Sequence, residues 1–387
     1  VKILFNATNL KMGGGIQKAF EFVSAIRRWG GGHTWRLLLS SEVAANLTAE
    51  DRVSHLEVDI LDVSPARRIR GRRTRMRIRH IERTFQPGLV FSLLGPSYVR
   101  FRAPHITGYA VPWMTQTADR ETWRRSYPGW RAWRMRLWLL WQRYWIRGHL
   151  GYICETEGDA RGLARVLRRP REDIHVIPNS CSSIYLAANA RRTPPHPVFN
   201  GLPAETKVVL TFAGAHPHKN HTVLPEVAAA LRSKSPDTIW RFVVTLPEGP
   251  WRELKRKAEG LNVGEMLVNA GTVRPVEGPS LYTRADVMLL PSLMEIFSAS
   301  YPEAMAMGVP IVTSDRPFAH DVCGDAALYA DPFDADALAG AVLRLMQDAE
   351  LSRQQVRKGE KRLEIFGSAE QRFRAHLAIF ESVQLKR

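Results

Sequence analysis

Apolar residues along this chain gather in short runs separated by stretches with helical spacing. KILFNAT, near the amino terminus, is apolar and extended in character and predicts a strand. Gly13-Gly14-Gly15 follows, and then Ile16, Ala19, Phe20, Val23 and Ile26 repeat with the period of one helix face. HTWRLLLSS, GLVFSLLG, PHITGYAV and IHVIPNS predict further strands, and GYICETEGDARGLARVL predicts strand, loop and helix. This alternation predicts a doubly wound α/β domain over residues 1–182. Residues 183–204 are rich in Pro, Asn and Ala and read as a linker. KVVLTFAGA opens a second alternation over 205–367. Its helices are HTVLPEVAAALRS, WRELKRKAEGL and PSLYTRA, and its further strands are TIWRFVVTL, EMLVNAGTV and DVMLLPS. Residues 368–387 predict a terminal helix. The fold class is therefore α/β, with two Rossmann-like domains.

The stretch PSLMEIFSASYPEAMAMGVPIVTSD, from Pro291 to Asp315, is the richest in chemistry. It places Glu295 and Glu303 with seven residues between them. Pro302 near the start and Gly308 past the end mark PEAMAMG as a short helix. Glu295 then lies in the loop leaving a strand, and Glu303 in the first helical turn. In a parallel sheet this loop is at the carboxyl edge, where ligands bind. A helix start there offers backbone N–H groups and a positive dipole end to a phosphate, and two carboxylates can accept hydrogen bonds from sugar hydroxyls.

The same stretch resembles the signature of the retaining GT-B glycosyltransferases, which include bacterial α-mannosyltransferases and relatives of glycogen synthase. The resemblance rests on PS, Phe297, EAMA and GVPIVTSD standing in register with the two glutamates. It implies two Rossmann-like domains facing a central cleft, with residues 368–387 crossing back to the first domain. It also implies a donor site for a nucleotide-diphosphate sugar. Glu303 resembles the ribose-binding glutamate and Glu295 the one that contacts the transferred sugar. Lys219, in FAGAHPHKNHT, stands where the family carries a phosphate-binding lysine. The arginine common about five residues earlier is missing, and Gly214 to His216 occupy its place. His216, Arg274 or an arginine of the other domain is the substitute that this reading offers. Ser298, Ala299 and Ser300 stand where the family has G-L-P, and Ile296 and Ser298 replace two glycines. Val273 lies where backbone groups meet the nucleobase. Gly14 and Gly15 match a glycine loop facing the cleft. Tyr109 occupies the place of a histidine found in many relatives and is assigned to the acceptor side, whereas His105 is expected to pack in its strand.

Charge adds a further feature. The chain carries a formal +17. Residues 1–182 hold 31 of its 55 Lys+Arg but only 15 of its 38 Asp+Glu, so nearly all the excess lies in the first half. That asymmetry points to an anionic partner for this half. Arg72, Arg73, Arg75 and Arg77 lie in one cluster. In a second, Trp123, Trp130 and Trp133 open a series of tryptophans interleaved with arginines. Arginine with amphipathic aromatics suits an anionic membrane surface. A helix with core tryptophans and solvated arginines, and a nucleic-acid surface, are the competing readings. The partners assigned are a nucleotide sugar, a glycan or lipid-linked acceptor and an anionic membrane, with no nucleic acid.

Three cysteines, far apart and without a CxxC pair, argue for a reducing compartment. No run of about 18 apolar residues predicts a membrane span. No D-x-D follows a strand, and Asp334-Ala335-Asp336 reads as a helix cap, so no metal or separate cofactor is assigned. The resemblance implies a retaining, metal-independent hexosyltransferase that builds bacterial surface polysaccharide, including lipopolysaccharide, from the cytoplasmic face of the membrane. Two alternatives stay open: a nucleotide-sugar epimerase of the same architecture, and an inactive member of the fold that binds membrane or RNA.

Overall fold

The computed structural model describes residues 1–11, 14–47, 56–187 and 189–385. Gly13 of the glycine loop and residues 386–387 of the last segment lie outside them. The chain forms two compact units. Unit 1 comprises Val1–Thr117, Trp130–Asn179 and Ser368–Arg387; unit 2 comprises Ala118–Gly129 and Ser180–Gly367.

Unit 1 is built on a seven-stranded parallel sheet of order β3-β2-β1-β4-β5-β6-β7. Its strands are β1 (Lys2–Ala7), β2 (Thr34–Ser40), β3 (Glu57–Leu61), β4 (Leu89–Ser92), β5 (His105–Gly108), β6 (Gly151–Cys154) and β7 (Ile174–Val176). Unit 2 has a six-stranded parallel sheet of order β10-β9-β8-β11-β12-β13. These are β8 (Lys207–Thr211), β9 (Trp240–Val244), β10 (Leu267–Asn269), β11 (Val287–Leu290), β12 (Ile311–Ser314) and β13 (Leu328–Ala330). The central strands LVFS and VMLL are buried at every position, because helices cover both faces of a parallel sheet. His105 packs within its strand as expected, with Nε2 2.8 Å from Ser92 Oγ.

Both sheets reverse direction once. In unit 1 the strand order turns between β1 and β4, and in unit 2 between β8 and β11. The loops leaving those neighbouring strands diverge, which opens a crevice at the carboxyl edge.

Two stretches differ from the sequence reading. Residues 183–204 are not a bare linker but fold onto unit 2, where Tyr185, Ala190 and Phe199 are buried and Arg191 Nε donates to Ala306 O at 2.8 Å. The Trp/Arg-rich stretch is divided. Gly129, at φ 59°, separates a helix over Arg120–Ser126, counted with unit 2, from a helix over Trp130–Ile146, counted with unit 1. β3 has no counterpart in the sequence reading. It is an edge strand with a largely exposed, mixed pattern, so it lacks the apolar run that marked the others.

The helices that matter below are α1 (Gly14–Trp29), α2 (Gly71–Phe85), α3 (Trp130–Ile146), α4 (Ser300–Met307) and α5 (Ala369–Leu385). α5 packs on unit 1 through aromatic rings. Phe373 meets Phe22 edge-on at 5.2 Å between centroids, and Phe380 lies 4.9 Å from Phe91. Both are almost fully buried. Truncating Phe380 leaves a cavity among rings that cannot collapse together. Phe380→Ala is expected to destabilise unit 1 by about 3–5 kcal/mol, read as a lower midpoint in denaturant unfolding followed by circular dichroism.

Candidate active site

The crevice of unit 2 is formed by the loops after β8 and β11. Leaving β8, the chain passes Gly214 and His216 and makes a tight turn over Pro217–Lys219. Asn220 then takes a left-handed conformation (φ 56°), which Asn tolerates better than most residues, and its Nδ2 donates to Pro332 O at 2.8 Å. This anchors the turn and aims Lys219 at the β11 loop. Leu293 N donates to His218 O at 2.7 Å, joining the two loops through their backbones.

Lys219 Nζ forms a short ion pair with Glu295 Oε1, and both side chains are about nine-tenths buried. Ser292 Oγ donates to the same carboxylate at 2.9 Å, and Lys219 Nζ lies 3.4 Å from Ser298 Oγ. Burial is the largest single influence on Glu295 and opposes its ionisation, but the charge of Lys219 together with His218 and the hydrogen bonds from Lys219 and Ser292 outweighs it, and the carboxyl is held below its ordinary value. His216 and His218 stack with centroids 5.4 Å apart. Burial lowers both, His218 to about 4, so the rings are neutral near pH 7. His221 is likewise pushed by burial to about 4. Among the described residues, no three His, Cys, Asp or Glu side chains converge as metal ligands.

The helix α4 starts at Ser300, with Glu303 in its first turn and Gly308 closing it at φ 70°. Ser300 Oγ donates to Phe212 O at 2.6 Å, fixing the helix start against the exit of β8. Ala299 is exposed at this end and Ser298 buried. Glu303 Oε2 accepts from Tyr282 Oη at 3.2 Å, and the Tyr185 hydroxyl also bonds this carboxylate. Burial first, then the Glu303 charge, drives both phenols upward, so they remain donors. A Cβ on Gly278 would stand 1.9 Å from Tyr185 Oη, so only glycine admits that hydroxyl. Sequence reasoning missed Tyr185, Tyr282 and Gly278. Tyr185 fell in the apparent linker, and nothing in PSLYTRA marks Tyr282 as a partner of Glu303.

The structure therefore gathers Lys219, Glu295, Ser298, Ala299, Ser300 and Glu303 around one crevice of unit 2, with Gly214 and His216 on the loop that carries Lys219. A Cβ on Gly214 would touch the His216 ring at 3.6 Å. Val273 is half-buried, and Arg274 is exposed and paired with Glu277 at 2.7 Å. The remaining residues lie in unit 1. Gly14 and Gly15 open α1; a Cβ on Gly15 would meet Leu10 and Leu94, whereas Gly14 faces open space. Tyr109 is buried, packs with Met114, Tyr152 and Cys154, and keeps its hydroxyl inside without a hydrogen-bond partner. Burial raises that phenol far above its ordinary range. Asp334 caps its helix as predicted, accepting from Ala337 N at 2.9 Å.

A cation, a helix start and two carboxylates thus meet at the switch point of a parallel sheet, in a chain of the GT-B fold class. Residues 194–362, somewhat under half of the chain, match the model of the family described as glycosyl transferases group 1. The chain is 30 % identical over 196 residues to D-inositol 3-phosphate glycosyltransferase of Corynebacterium glutamicum, covering 49 % of this chain and 46 % of that protein. It is 31 % identical over 124 residues to O-antigen chain mannosyltransferase B of Escherichia coli, covering 32 % and 29 %. The matched stretches thus span about half or less of these curated relatives. In fold the chain resembles a glycosyltransferase structure from Rickettsia africae, with a TM-score of 0.75 and 13 % identity, covering 99 % of this chain and 98 % of that one.

The ion pair generates a stability prediction. Glu295 is held below its ordinary carboxylate value in the folded protein. Its share of stability is complete above the unfolded value and is lost as pH falls through the lowered folded value. Lys219→Met takes away the cation from a buried carboxylate and is expected to cost about 3–5 kcal/mol, with much of the loss recovered when Glu295→Gln is added. Denaturant unfolding of both single variants and the double variant at pH 7 gives the coupling; additive losses would refute the pairing.

Proposed function

We propose that this protein is a retaining glycosyltransferase that moves a sugar from a nucleotide-diphosphate sugar to an acceptor hydroxyl. The observation that carries this reading is the buried Lys219–Glu295 pair beside the start of α4, with Glu303 one turn inside it. The difficult part of such a transfer is the charge developing on the departing diphosphate. Lys219 and the backbone amides at Ser298–Ser300 meet that charge, and a helix start favours it. Glu303, held by Tyr185 and Tyr282, accepts the ribose hydroxyls; Glu295 accepts from the transferred sugar. The bond from the anomeric carbon to the phosphate oxygen breaks, the acceptor oxygen takes its place, and the acceptor proton leaves with the diphosphate. Val273 borders the base, His216 and Arg274 supplement Lys219 on the phosphates, and Gly14 and Gly15 let the diphosphate or the acceptor come close to the backbone; Tyr109, assigned to the acceptor side on sequence, is buried with its hydroxyl inside and drops out of direct contact. Resemblance to an O-antigen mannosyltransferase supports an acceptor in surface polysaccharide assembly.

Glu303→Gln and Lys219→Met are each expected to lose a charge-assisted contact of about 1.5–3 kcal/mol, or roughly tenfold to a hundredfold in transfer rate. Near-wild-type rates for both variants, confirmed as folded, would remove this assignment. Acceptor-dependent release of free nucleoside diphosphate separates a transferase from an epimerase and from an inactive fold.

The lipid-linked acceptor and peripheral membrane placement draw support from α3. Trp130, Trp133, Leu137, Leu140 and Tyr144 are all exposed on it, alongside Arg131, Arg134 and Arg136. This disfavours the reading of its tryptophans as core. Two residues drop out of the contact set. Arg75 is half-buried and donates to the carbonyls of Pro65, Arg67 and Arg68, so its guanidinium braces its own loop. Trp123 is half-buried in the separate helix of unit 2. Arg72, Arg73 and Arg77 remain exposed on α2. No described helix is long and apolar enough to cross a membrane. Polybasic surfaces gain about 1 kcal/mol per Lys or Arg near anionic lipid, and salt screens this. The protein is expected to float with phosphatidylglycerol-containing vesicles at low salt, more weakly at high salt, and more weakly still as the Arg72→Ser/Arg73→Ser/Trp133→Ser variant. Wild-type protein that stays unbound at low salt would sink this reading.

A further inference from the structure

Unit 1 contains a small cavity of about 20 Å³ at the carboxyl edge of its sheet. It lies beside the point where the strand order reverses, under Leu93 and Leu94 after β4 and Gly108 at the end of β5. Three charged side chains meet there from different parts of the sequence. Lys18 comes from the second turn of α1, Glu155 follows β6, and Arg372 comes from the first turns of α5. Lys18 Nζ is 2.5 Å from Glu155 Oε1, and Arg372 Nη2 is 3.8 Å from the same oxygen. Their side chains are 15 %, 8 % and 12 % exposed.

The cluster is incomplete in two respects. Glu155 Oε2 and Arg372 Nε are buried without a hydrogen-bond partner. One is an acceptor and the other a donor, and such groups inside proteins are ordinarily satisfied. The charges also do not balance, since two cations face one carboxylate. Neither Tyr109, whose buried hydroxyl also lacks a partner, nor His376 adds any charge. His376 Nδ1 is bonded to Arg372 O at 2.8 Å, and burial drives its pKa down to about 3. A water would fit the space and could satisfy the two orphaned atoms. It would leave the positive charge uncompensated.

We infer that Lys18, Glu155 and Arg372 form a binding subsite for an oxyanion carried next to a hydroxyl, the chemistry of a phosphorylated sugar or a sugar acid. One anionic oxygen enters the cavity and accepts from Arg372 Nε and Lys18 Nζ. A neighbouring hydroxyl donates to Glu155 Oε2. The cavity as it stands holds one oxygen-sized group, so admitting the second oxygen requires the Lys18–Glu155 contact to open. That this ligand is the acceptor rests on the transferase reading above. That the cluster binds it does not.

Thermal unfolding of the full chain tests the subsite without any turnover. The probes are inorganic phosphate and glucose 6-phosphate, each compared with chloride at matched ionic strength. A ligand at tenfold excess over its Kd is expected to raise the Tm by about 2–4 °C, with glucose 6-phosphate effective at lower concentration than phosphate. In a Lys219→Met/Glu295→Gln background, which removes the anion site of unit 2, Arg372→Gln should abolish both responses. Glu155→Gln, which keeps the shape and removes the negative charge, should leave the phosphate response equal or stronger and erase the advantage of the sugar phosphate. Lys219→Met, on the anion-binding loop of unit 2, should leave both responses in place. Nucleoside diphosphate binding, measured in parallel, should survive the Arg372→Gln single variant; its absence in the wild type would count against the transferase reading alone. The subsite is refuted by any of three results: no phosphate-specific rise in the wild type, a rise that survives Arg372→Gln in the Lys219→Met/Glu295→Gln background or disappears with Lys219→Met, or a phosphate response weakened by Glu155→Gln. The last result would mark the cluster as a brace for α5 and nothing more.

Discussion

The burial of Lys219 against Glu295 is the constraint around which unit 2 is arranged. Removing either charge from water is costly, and the cost is offset only if the pair is close and the remaining polar atoms are satisfied. Ser292 and Ser298 lie within reach of the two charges. The approach depends on sheet order: β8 and β11 are neighbours although 75 residues separate their ends in sequence, between Thr211 and Val287. Asn220 in its left-handed conformation and the Leu293–His218 backbone bond then hold the lysine loop against the glutamate loop. The fold and the site are thus one arrangement. A different strand order would strand both charges in apolar surroundings.

What could be read from the sequence follows from this. Central strands announce themselves because both faces are buried, so VMLL and KVVLT carry little but apolar residues. The helix α4 was legible from Pro302 and Gly308, since each acts locally. Glu295, Glu303 and Lys219 stood out by register with a known family. What stayed hidden depends on contacts between residues distant in the chain. Tyr185 lies in a Pro- and Asn-rich stretch that looks like a linker, yet it is buried and reaches Glu303 across the absent side chain of Gly278. β3 was hidden for the opposite reason, because an edge strand with solvated faces has no apolar run to find. Arg75 cannot be told from Arg73 by composition. Only the carbonyls it meets make one a loop brace and the other a solvated cation.

The first half of the chain shows where its excess charge can be accommodated. Some of it is neutralised locally, as in Arg36 with Asp59 at 2.9 Å and Arg171 with Glu157. More of it is left on exposed faces of α2 and α3, where water screens it. α3 is unusual in combining those arginines with tryptophans left in solvent. Arg134 lies 4.7 Å over the Trp130 ring, and Arg100 4.9 Å over Tyr144. Cation–π contacts of this kind keep an aromatic surface tolerable in water while leaving its outer faces accessible.

Each unit places a lysine–glutamate pair at the carboxyl edge of its sheet, and the two pairs differ in their third member. In unit 2 the neighbours are hydroxyls and neutral histidines, so the pair is electrically closed. In unit 1 the neighbour is Arg372, which adds a second cation. That arginine is carried by α5, whose adjacent residues Phe373 and His376 are packed into the aromatic cluster around Phe22 and Phe91. The same helix therefore supplies apolar burial on one side and an uncompensated charge on the other. Its packing fixes the helix that carries Arg372, and so sets the guanidinium beside Glu155. The positive balance of the unit 1 cavity is in this way a consequence of how the end of the chain is buried.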